Sequence, residues 1–389
     1  MNSLNKVILP GQTIGIIGGG QLGRMMAMSA KASGFRIAVL DPAPDSPCGQ
    51  VADVEITAEF NDMEALKNLA DISDVITFEF ENINGEALDW LTQYAYVPQG
   101  SELLKISQNR VFEKKAIIDA GAEVAPYAVI RCMDDLYEQT GRIGLPAVLK
   151  TATGGYDGKG QLVLAHAEDI EKAHGLVEQC ECVLEAWLPF EKEISVIVSR
   201  NVDGDVSVFP VAENIHKENI LFQTIVPARI SEELERKAIE KAMLIANHVS
   251  LVGTLAVEMF VMDDRDIYIN ELAPRPHNSG HYTMDACETS QFEQHIRAVC
   301  NWKLGNTGLL KPAVMVNILG EQLEPLLAQI PKLVDWKVHL YGKAEARAKR
   351  KMGHVNIVRD NTETALLEAE HSEIWESCSR EPQIGGNRK

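Results

Sequence analysis

The sequence predicts a protein of mixed α/β and α+β class that is divided into several modules. Its first hundred residues alternate buried-type strands with helices, which is the βαβ rhythm of a small parallel sheet covered by helices. The rest of the chain orders its strands and helices as α+β units. A chain of 389 residues is also too long for one ordinary core, so we expect two or three modules.

Composition and charge argue against several classes of protein. The chain has 37 basic and 56 acidic residues and a formal net charge of -19, which is untypical of a general nucleic-acid binder or of a protein of anionic membrane surfaces. A local basic pocket could still hold a small anion. The seven cysteines show no disulfide or zinc spacing, the N-terminus lacks a signal peptide, and no apolar run is long enough to span a bilayer. We therefore expect a cytoplasmic protein with reduced thiols and no membrane or nucleic-acid partner.

A first glycine loop, Gly18–Gly23, lies between the strand Thr13–Ile17 and a helix that reaches about Ser33. Further strands at 36–40 and 74–78 and helices at 62–70 and 85–94 complete this module. The loop matches G-x-G-x-x-G, and Asp41 ends the next strand where a ribose-binding acid would sit. It therefore has three interpretations: a dinucleotide site, a site for any phosphate at a helix N-terminus, or close strand–helix packing.

A second glycine-rich loop follows the predicted strand Pro146–Lys150. A helix at about 107–121 leads into this unit, and strands at 128–130, 161–164, 182–187 and 193–199 with helices at 134–140 and 168–179 complete it. Four glycines between Gly154 and Gly160 allow backbone N–H groups to wrap a phosphate chain, and Lys150 can add charge to the same phosphates. The spacing is not that of a Walker A loop. The alternative is a flexible hairpin turn.

A predicted hairpin in the third unit brings two acidic residues together. A long helix near 232–249 precedes the strands Thr254–Met262 and Ile267–Leu272. If Asp264 and Arg265 form a two-residue turn, Met262 pairs with Ile267 and Glu258 lies opposite Glu271. Two carboxylates held that close need a cation or a shared proton. Together with Asn270 they offer the oxygen ligands that suit Mg²⁺. The alternative is a solvated hairpin whose acids face water.

The tail contains a basic cluster in an otherwise acidic chain, formed by Lys343, Arg347, Lys349, Arg350 and Lys351. It is suited to an anionic ligand, although a solvated basic tail is the alternative.

These pieces together resemble the ATP-grasp superfamily and, within it, the N5-carboxyaminoimidazole ribonucleotide synthetases. The resemblance covers essentially the whole chain and depends on five motifs in one order. They are Gly18–Met25 (GGGQLGRM), Gln108–Arg110 (QNR), Thr153–Gly160 (TGGYDGKG), Asn270–Glu271 with Ala273–Thr283 (APRPHNSGHYT), and Tyr341–His354 (YGKAEARAKRKMGH).

The resemblance implies an ATP-grasp fold with an N-terminal Rossmann-like (preATP-grasp) parallel sheet, a central lid module and a C-terminal module. We expect boundaries at 1–106, 107–205, 206–310 and a small C-terminal subdomain at 311–389. ATP would lie between the central and C-terminal modules. The implied nucleotide contacts are Arg110, Lys150, Gly155, Tyr156, Asp157, Gly158, Lys159, Gly160, Gln161, Glu185, Ala186, Trp187, Leu188, Glu193, His216, Asn270 and Glu271. Mg²⁺ would be held by Glu258, Glu271 and Asn270.

The resemblance also implies the reaction, in which ATP and bicarbonate carboxylate the amine of aminoimidazole ribonucleotide through carboxyphosphate. The ribonucleotide would be bound by Gly20, Gln21, Leu22, Glu79, Glu81, Tyr156, Lys343, Arg350 and Lys351. Either Glu79 or Glu81 would face it. The implied catalytic residues are Asp157, Lys159, Arg275, His277 and Asn278, with Arg275 and Asn278 suited to bicarbonate. Asp157 could contact the substrate amine or simply form a turn, and His281 is structural or functional.

Three other functions are compatible with parts of the sequence. A nicotinamide-dependent oxidoreductase would explain only the first glycine loop. A formate-dependent or biotin-directed ATP-grasp ligase would share the nucleotide and metal residues, and a nucleotide-binding regulator would lack the chemistry. The resemblance further implies a homodimer.

Overall fold

The protein folds into three β-sheets with helices packed on their faces. The computed structural model describes residues 6–154, 160–263 and 265–375. None of the helices in these three stretches is long and apolar enough to cross a membrane.

The N-terminal sheet is parallel and has four strands in the order β3-β2-β1-β4. Its elements are β1 (Thr13–Ile17), α1 (Gln21–Ala32), β2 (Arg36–Asp41), β3 (Val54–Thr57), α2 (Met63–Ile72), β4 (Val75–Phe78) and α3 (Gly85–Tyr94). The side chain of Asp62 accepts hydrogen bonds from the first backbone N–H groups of α2, and Asn84 does the same for α3, which fixes where both helices begin. The short edge strand β3 was not predicted from the sequence, because its four residues are mostly exposed and do not form an apolar run.

The helix predicted at about 107–121 is present as α5 (Arg110–Asp119), and a separate short helix before it, α4 (Glu102–Ser107), was not predicted. Asn109 separates them in an extended conformation, and its Oδ1 accepts the N–H of Val111 at 2.9 Å. This cap starts α5 at Arg110 and turns one face of the helix toward the large sheet.

The central sheet is antiparallel with the order β5-β8-β6-β7. Its elements are β5 (Tyr127–Ile130), α6 (Met133–Ile143), β6 (Ala147–Thr151), β7 (Gln161–Leu164), α7 (His174–Val177) and β8 (Cys182–Ala186). The helix predicted at 168–179 is mostly a 3-10 helix at Ala167–Ala173, and only α7 is α-helical. The second glycine loop joins β6 to β7, where Lys150 pairs with Gln161.

The large sheet has nine strands in the order β14-β13-β9-β11-β12-β15-β17-β16, with β10 paired to β9. Its strands are β9 (Lys192–Arg200), β10 (Val206–Val208), β11 (Ala212–Lys217), β12 (Ile220–Val226), β13 (Gly253–Val261), β14 (Ile267–Ala273), β15 (Ala313–Leu319), β16 (Lys337–Leu340) and β17 (Lys351–Val358). Its helices are α8 (Glu232–His248), α9 (Thr283–Ala286), α10 (Gln291–Val299), α11 (Leu323–Gln329) and α12 (Thr362–His371). The sheet crosses two of the expected module boundaries, and those boundaries stay predictions.

The N-terminal module packs directly on the large-sheet module. One core cluster joins α1 and β1 to Phe292, Ile296 and Val299 of α10 and the following loop. The Trp302 Nε1–H group donates to the Ile8 carbonyl at 2.6 Å. This packing places the N-terminus of α1 and the end of β4 beside the acidic hairpin.

Candidate active site

One cleft of about 850 Å³ is lined by residues of the central and large sheets and, from the N-terminal module, by residues of α1 and of the segment after β4. Most of the predicted site residues line it, namely Gln21, Leu22, Glu79, Glu81, Arg110, Lys150, Gly160, Gln161, Glu185, Ala186, Trp187, Leu188, Glu193, His216, Glu258, Asn270, Glu271, Arg275, His277, Asn278 and Lys351. The predicted residues Gly155, Tyr156, Asp157, Gly158 and Lys159 lie outside the described residues. The cleft therefore joins the predicted nucleotide, metal and substrate regions.

The acidic hairpin has the predicted contact but a different register at its tip. Glu258 is paired with Glu271, as expected. The predicted pairing of Met262 with Ile267 is wrong, because Ile267 pairs with Val261. A β-bulge between Glu258 and Met259 on one strand, opposite Asn270 on the other, absorbs the difference of one residue. Because of the bulge, the consecutive residues Asn270 and Glu271 both line the cleft.

The two carboxylates belong to directly opposed residues of β13 and β14. Burial raises the pKa of Glu258 well above its usual value, and the neighbouring Glu271 raises it further. The Arg110 Nη1 atom lies 3.7 Å from Glu271 Oε2. Among the described residues no three His, Cys, Asp or Glu side chains form a complete metal cage. Two carboxylates and one amide suit Mg²⁺, which takes its other ligands from phosphates and water.

His277 contacts the acidic pair from the adjoining loop. Its Nε2 atom lies 3.1 Å from Glu258 Oε1. Burial lowers the pKa of His277 well below its usual value, and the positive charge of Arg275 lowers it further. The imidazole is therefore neutral near pH 7.

Arg275 and Asn278 present unlike groups to the same part of the cleft. The Arg275 Nε atom lies 2.7 Å from Glu81 Oε1. Both polar atoms of the Asn278 side chain are buried without a hydrogen-bond partner in the structure. Because a buried amide without partners is costly, Asn278 is a strong candidate for binding a small polar ligand.

A buried ion-pair cluster forms the floor of the predicted nucleotide pocket. The Nζ atoms of Lys114 and Lys150 each lie 3.2 Å from Glu185 Oε2. Burial alone would raise the pKa of Glu185, but the two lysines and Arg110 outweigh it and lower the pKa. Burial lowers the pKa of Lys150. Glu185 therefore stays an ionised acceptor, and its Oε1 atom has no hydrogen-bond partner in the structure.

Two residues of this region, Glu113 and Lys114, were not predicted from the sequence as site residues. Both are buried on α5, at 2 % and 0 % exposure. Glu113 Oε1 accepts the backbone N–H of Leu272 at 2.7 Å. Burial and then the charge of Glu271 raise the pKa of Glu113 to about 8. Their spacing of three and four residues from Arg110 is the signal that could have found them, because such residues share one helix face.

The predicted nucleotide contacts Glu193 and His216 lie on neighbouring strands of the large sheet. The His216 Nδ1 atom on β11 is 2.7 Å from Glu193 Oε2 on β9. Both side chains line the cleft.

The first glycine loop is already engaged by two acidic side chains. Gly19 N–H donates to Asp41 Oδ2 at 2.6 Å, and Gly23 N–H donates to Glu79 Oε2 at 2.6 Å. Gly20 N–H donates to the other oxygen of Glu79. The second Asp41 oxygen accepts from Ala43 N–H at 2.9 Å, so both oxygens already accept a backbone N–H group. Gln21 and Leu22, in the first turn of α1, line the cleft.

The basic cluster divides into two groups. Lys349 Nζ lies 2.5 Å from Glu218, and Arg347 pairs with Glu345, so both exposed cations have surface partners. The Lys343 Nζ donates to the Lys351 carbonyl at 2.7 Å. Burial and then the charge of Arg350 lower the pKa of Lys343 to about 8. Arg350 Nη1 donates to the Glu345 carbonyl at 2.9 Å.

Three family models match successive parts of the chain. A ribonucleotide synthetase preATP-grasp domain matches residues 11–108, an ATP-grasp domain matches 115–292, and a phosphoribosylaminoimidazole carboxylase C-terminal domain matches 313–368.

Named relatives and solved structures agree with these models. The chain is 57% identical over 355 residues to the N5-carboxyaminoimidazole ribonucleotide synthase of Bacillus subtilis strain 168, covering 91% of this chain and 93% of that protein. An N5-carboxyaminoimidazole ribonucleotide synthetase solved as its ADP complex matches with a TM-score of 0.93 and 60% identity, covering 96% and 99% of the two chains. The Aspergillus clavatus enzyme in complex with ADP and 5-aminoimidazole ribonucleotide matches with a TM-score of 0.86 and 29% identity, covering 94% and 97%. The nicotinamide alternative has no support here, and the chain belongs to the N5-carboxyaminoimidazole ribonucleotide synthase family of ATP-grasp enzymes.

Proposed function

We propose that the protein uses ATP and bicarbonate to carboxylate the amine of 5-aminoimidazole ribonucleotide, as a step of purine biosynthesis. The products are N5-carboxyaminoimidazole ribonucleotide, ADP and phosphate. The observation that carries the proposal is the single cleft that joins Lys150, the Glu258–Glu271 pair and the first turn of α1. The A. clavatus relative of the same fold, complexed with ADP and 5-aminoimidazole ribonucleotide, supports it.

The chemistry requires an activated form of bicarbonate, which is a poor electrophile. Transfer of the γ-phosphoryl group from ATP to a bicarbonate oxygen gives carboxyphosphate and ADP. The carboxyl carbon then forms a bond to the substrate nitrogen, phosphate leaves, and the nitrogen loses one proton. The contribution of the protein is mainly to position these groups, to offset their charge and to exclude water.

The acidic hairpin would hold the magnesium ion of the reaction. Glu258, Glu271 and Asn270 supply its oxygen ligands, and the buried like-charged pair already calls for a cation. A bound ion would offset charge on the ATP phosphates. Lys150 and Arg110 contribute positive charge to the same cleft, and Arg110 Nη1 lies 3.7 Å from Glu271 Oε2.

The nucleotide base would lie against the segment Glu185–Leu188. Its ionised Glu185 carboxylate has one oxygen without a hydrogen-bond partner among the described residues, and this oxygen can accept a hydrogen bond from the adenine amino group. Glu193, paired with His216, is placed for the ribose hydroxyls. Gly160 and Gln161 would contact the phosphates together with the predicted residues Gly155–Lys159.

Bicarbonate would bind between Arg275 and Asn278. Arg275 is held by Glu81 and keeps its charge. Burial by itself would lower the pKa of Arg275, but Glu81 and other acidic residues outweigh burial and raise it. Asn278 offers one donor group and one acceptor atom, neither of which has a partner in the part of the chain that the structure describes. These two residues are suited to a small planar anion.

The substrate phosphate would bind at the N-terminus of α1. The backbone N–H groups of Gln21 and Leu22 are suited to an anion, and Lys343, Arg350 and Lys351 supply positive charge. The N–H of Gly20 would contribute only if Glu79 left it. Asp157, Lys159 and Tyr156 keep their proposed catalytic and substrate-binding roles.

We also propose a homodimer in the cytoplasm. The resemblance to the family supports the homodimer. The cytoplasmic location is supported by the six cysteines of the described residues, which are all free.

The direct test measures ADP release and fixation of labelled bicarbonate with ATP and Mg²⁺. We expect the ribonucleotide to stimulate ADP release and label to enter an acid-labile product. A rate of ATP hydrolysis that does not change when the ribonucleotide is added would contradict the proposed substrate. Label fixation that needs formate or biotin would instead favour another ATP-grasp ligase.

A further inference from the structure

A continuous chain of buried polar side chains leads from the large sheet to His277. Thr224 Oγ1 donates to Asn214 Oδ1 at 3.0 Å, and Asn214 Nδ2 donates to Ser195 Oγ at 2.9 Å. Ser195 Oγ donates to Ser279 Oγ at 2.8 Å, and Ser279 Oγ lies 2.9 Å from His277 Nδ1. Ser195, Thr224 and Ser279 are fully buried and Asn214 is 7 % exposed.

The direction of this chain is set at both ends. The backbone N–H of Ser279 points at His277 Nδ1 from 3.3 Å, and a backbone amide can only donate. Ser195 accepts from Asn214, so its own proton goes to Ser279, and the Ser279 proton is then left for His277 Nδ1. Nδ1 is thus an acceptor, and the ring proton of the neutral imidazole belongs on Nε2.

The backbone of His277 is fixed by a second buried side chain. Gln291 Oε1 accepts the His277 N–H at 2.9 Å, and Gln291 Nε2 donates to the His277 carbonyl at 2.7 Å. Gln291 is fully buried. Both the ring and the backbone of His277 are therefore constrained before any ligand binds.

We propose that Ser195 and Ser279 are positioning residues which keep His277 in the Nε2–H tautomer, so that it donates to Glu258 and orients that carboxylate for its cation. The Nε2 atom is 3.1 Å from Glu258 Oε1. With Nδ1 accepting from Ser279 and Nε2 donating to Glu258, His277 has no lone pair for a substrate proton. It therefore acts as an orienting donor, and the base of the carboxylation is another group. The second part of this inference, about the cation, depends on the proposed metal site.

The tautomer is measured on the free enzyme by ¹⁵N NMR with labelled histidine, without metal or nucleotide. The chain has ten histidines, and the His277 signals are those lost in His277→Gln. We expect the proton on Nε2. In Ser279→Ala we expect some Nδ1–H tautomer to appear, because Nδ1 loses the hydroxyl donor and keeps only the longer backbone N–H contact at 3.3 Å. In Ser195→Ala we expect a smaller shift, because the Ser279 hydroxyl loses the hydrogen bond that polarises it.

The second measurement is the Mg²⁺ dissociation constant by titration calorimetry. Loss of a group that orients a ligand typically weakens metal binding by roughly 10- to 100-fold, and we expect about 10-fold for Ser279→Ala and less for Ser195→Ala. Ser199→Ala is the matched control, because Ser199 is equally buried on β9 but its hydroxyl pairs with Thr254 at 2.8 Å.

Two results would overturn the inference. One is a His277 proton on Nδ1, and the other is a Ser279→Ala variant with the tautomer and Mg²⁺ affinity of Ser199→Ala. If the proton is on Nε2 and the two active-site serine variants alter it, the positioning role stands even if no carboxylation is found. The failure of the proposed reaction is thereby separated from the failure of this inference.

Discussion

Glu258 and Glu271 are directly paired across β13 and β14, and the pairing exists because a bulge at Asn270 shifts the register by one residue. With the register of the hairpin tip continued unchanged, Glu258 would face Asn270. The bulge brings the two carboxylates together and turns two consecutive residues of β14 toward the cleft. This arrangement is unfavourable without a cation and is therefore the strongest single indication of a metal site.

Removal of one charge from this pair should weaken metal binding and stabilise the free protein. In Glu271→Gln we expect the Mg²⁺ dissociation constant to rise by about 10-fold or more, since one anionic ligand is lost. Without metal, we expect the free energy of unfolding to increase by about 0.5–1 kcal/mol, because like charges directly opposite each other repel. Urea unfolding in EDTA and titration calorimetry measure the two effects. Glu324→Gln on α11 is an exposed control, and equal behaviour of the two variants would contradict the prediction.

The buried Glu113 should make stability fall as the pH rises. The pKa of Glu113 is about 8 in the fold, against 4.5 for an ordinary glutamate, so the folded state holds its proton more tightly. Its stabilising contribution is complete below about pH 4.5 and is lost as the pH rises to about 8. Glu113→Gln imitates the protonated form and keeps an acceptor for Leu272 N–H. We expect the variant to gain on the order of a few kcal/mol over the wild type between pH 5 and 8 in metal-free urea unfolding. If the free energies of unfolding of the two proteins differed by the same amount at every pH, the prediction would be refuted.

The Glu185 cluster should respond unequally to loss of its members. In Glu185→Gln, Lys114 and Lys150 both lose their anion, and we expect a loss of about 3 kcal/mol in the free energy of unfolding. Lys114→Met should cost less, since Lys150 still pairs with Glu185 and a methionine fills similar space. Glu181→Gln, at a more exposed pair with Arg131, is the control. A Lys114→Met variant that is less stable than Glu185→Gln would contradict this account.

Binding of the ribonucleotide should weaken in alkaline solution. Lys343 has a pKa of about 8 in the free protein, so its positive charge is lost as the pH rises through that value. We expect the KM for the ribonucleotide to increase above pH 8 while the KM for ATP changes little. In Lys343→Met the KM should be high at all pH values and its rise near pH 8 should disappear. Steady-state kinetics from pH 6.5 to 9 test this, and an unchanged pH dependence in the variant would assign the effect to another group.

Local patterns in the sequence were sufficient for several parts of this protein. The strand Thr13–Ile17 and the helix at 85–94 were predicted at their observed bounds. The Glu258–Glu271 contact was predicted from strand alternation and hairpin length, although the predicted register of the turn was wrong. The order of five motifs was enough to identify the family. These features depend on neighbouring residues or on a short hairpin, so near-neighbour geometry encodes them.

Only the tertiary structure decided which of the predicted groups are free and which are already engaged. The Gly20 N–H is taken by Glu79, 59 residues away, and Glu113 reaches Leu272 across 159 residues. The chain of buried polar side chains from Asn214 through Ser195 to Ser279 joins two strands and a loop, and no repeating pattern in the sequence predicts that these three segments meet. Such contacts depend on which distant segments pack together and on which buried polar atoms must then find partners. The sequence by itself therefore determined the family and the chemical groups of the site, and the packing of the three sheets determined how those groups are oriented and charged.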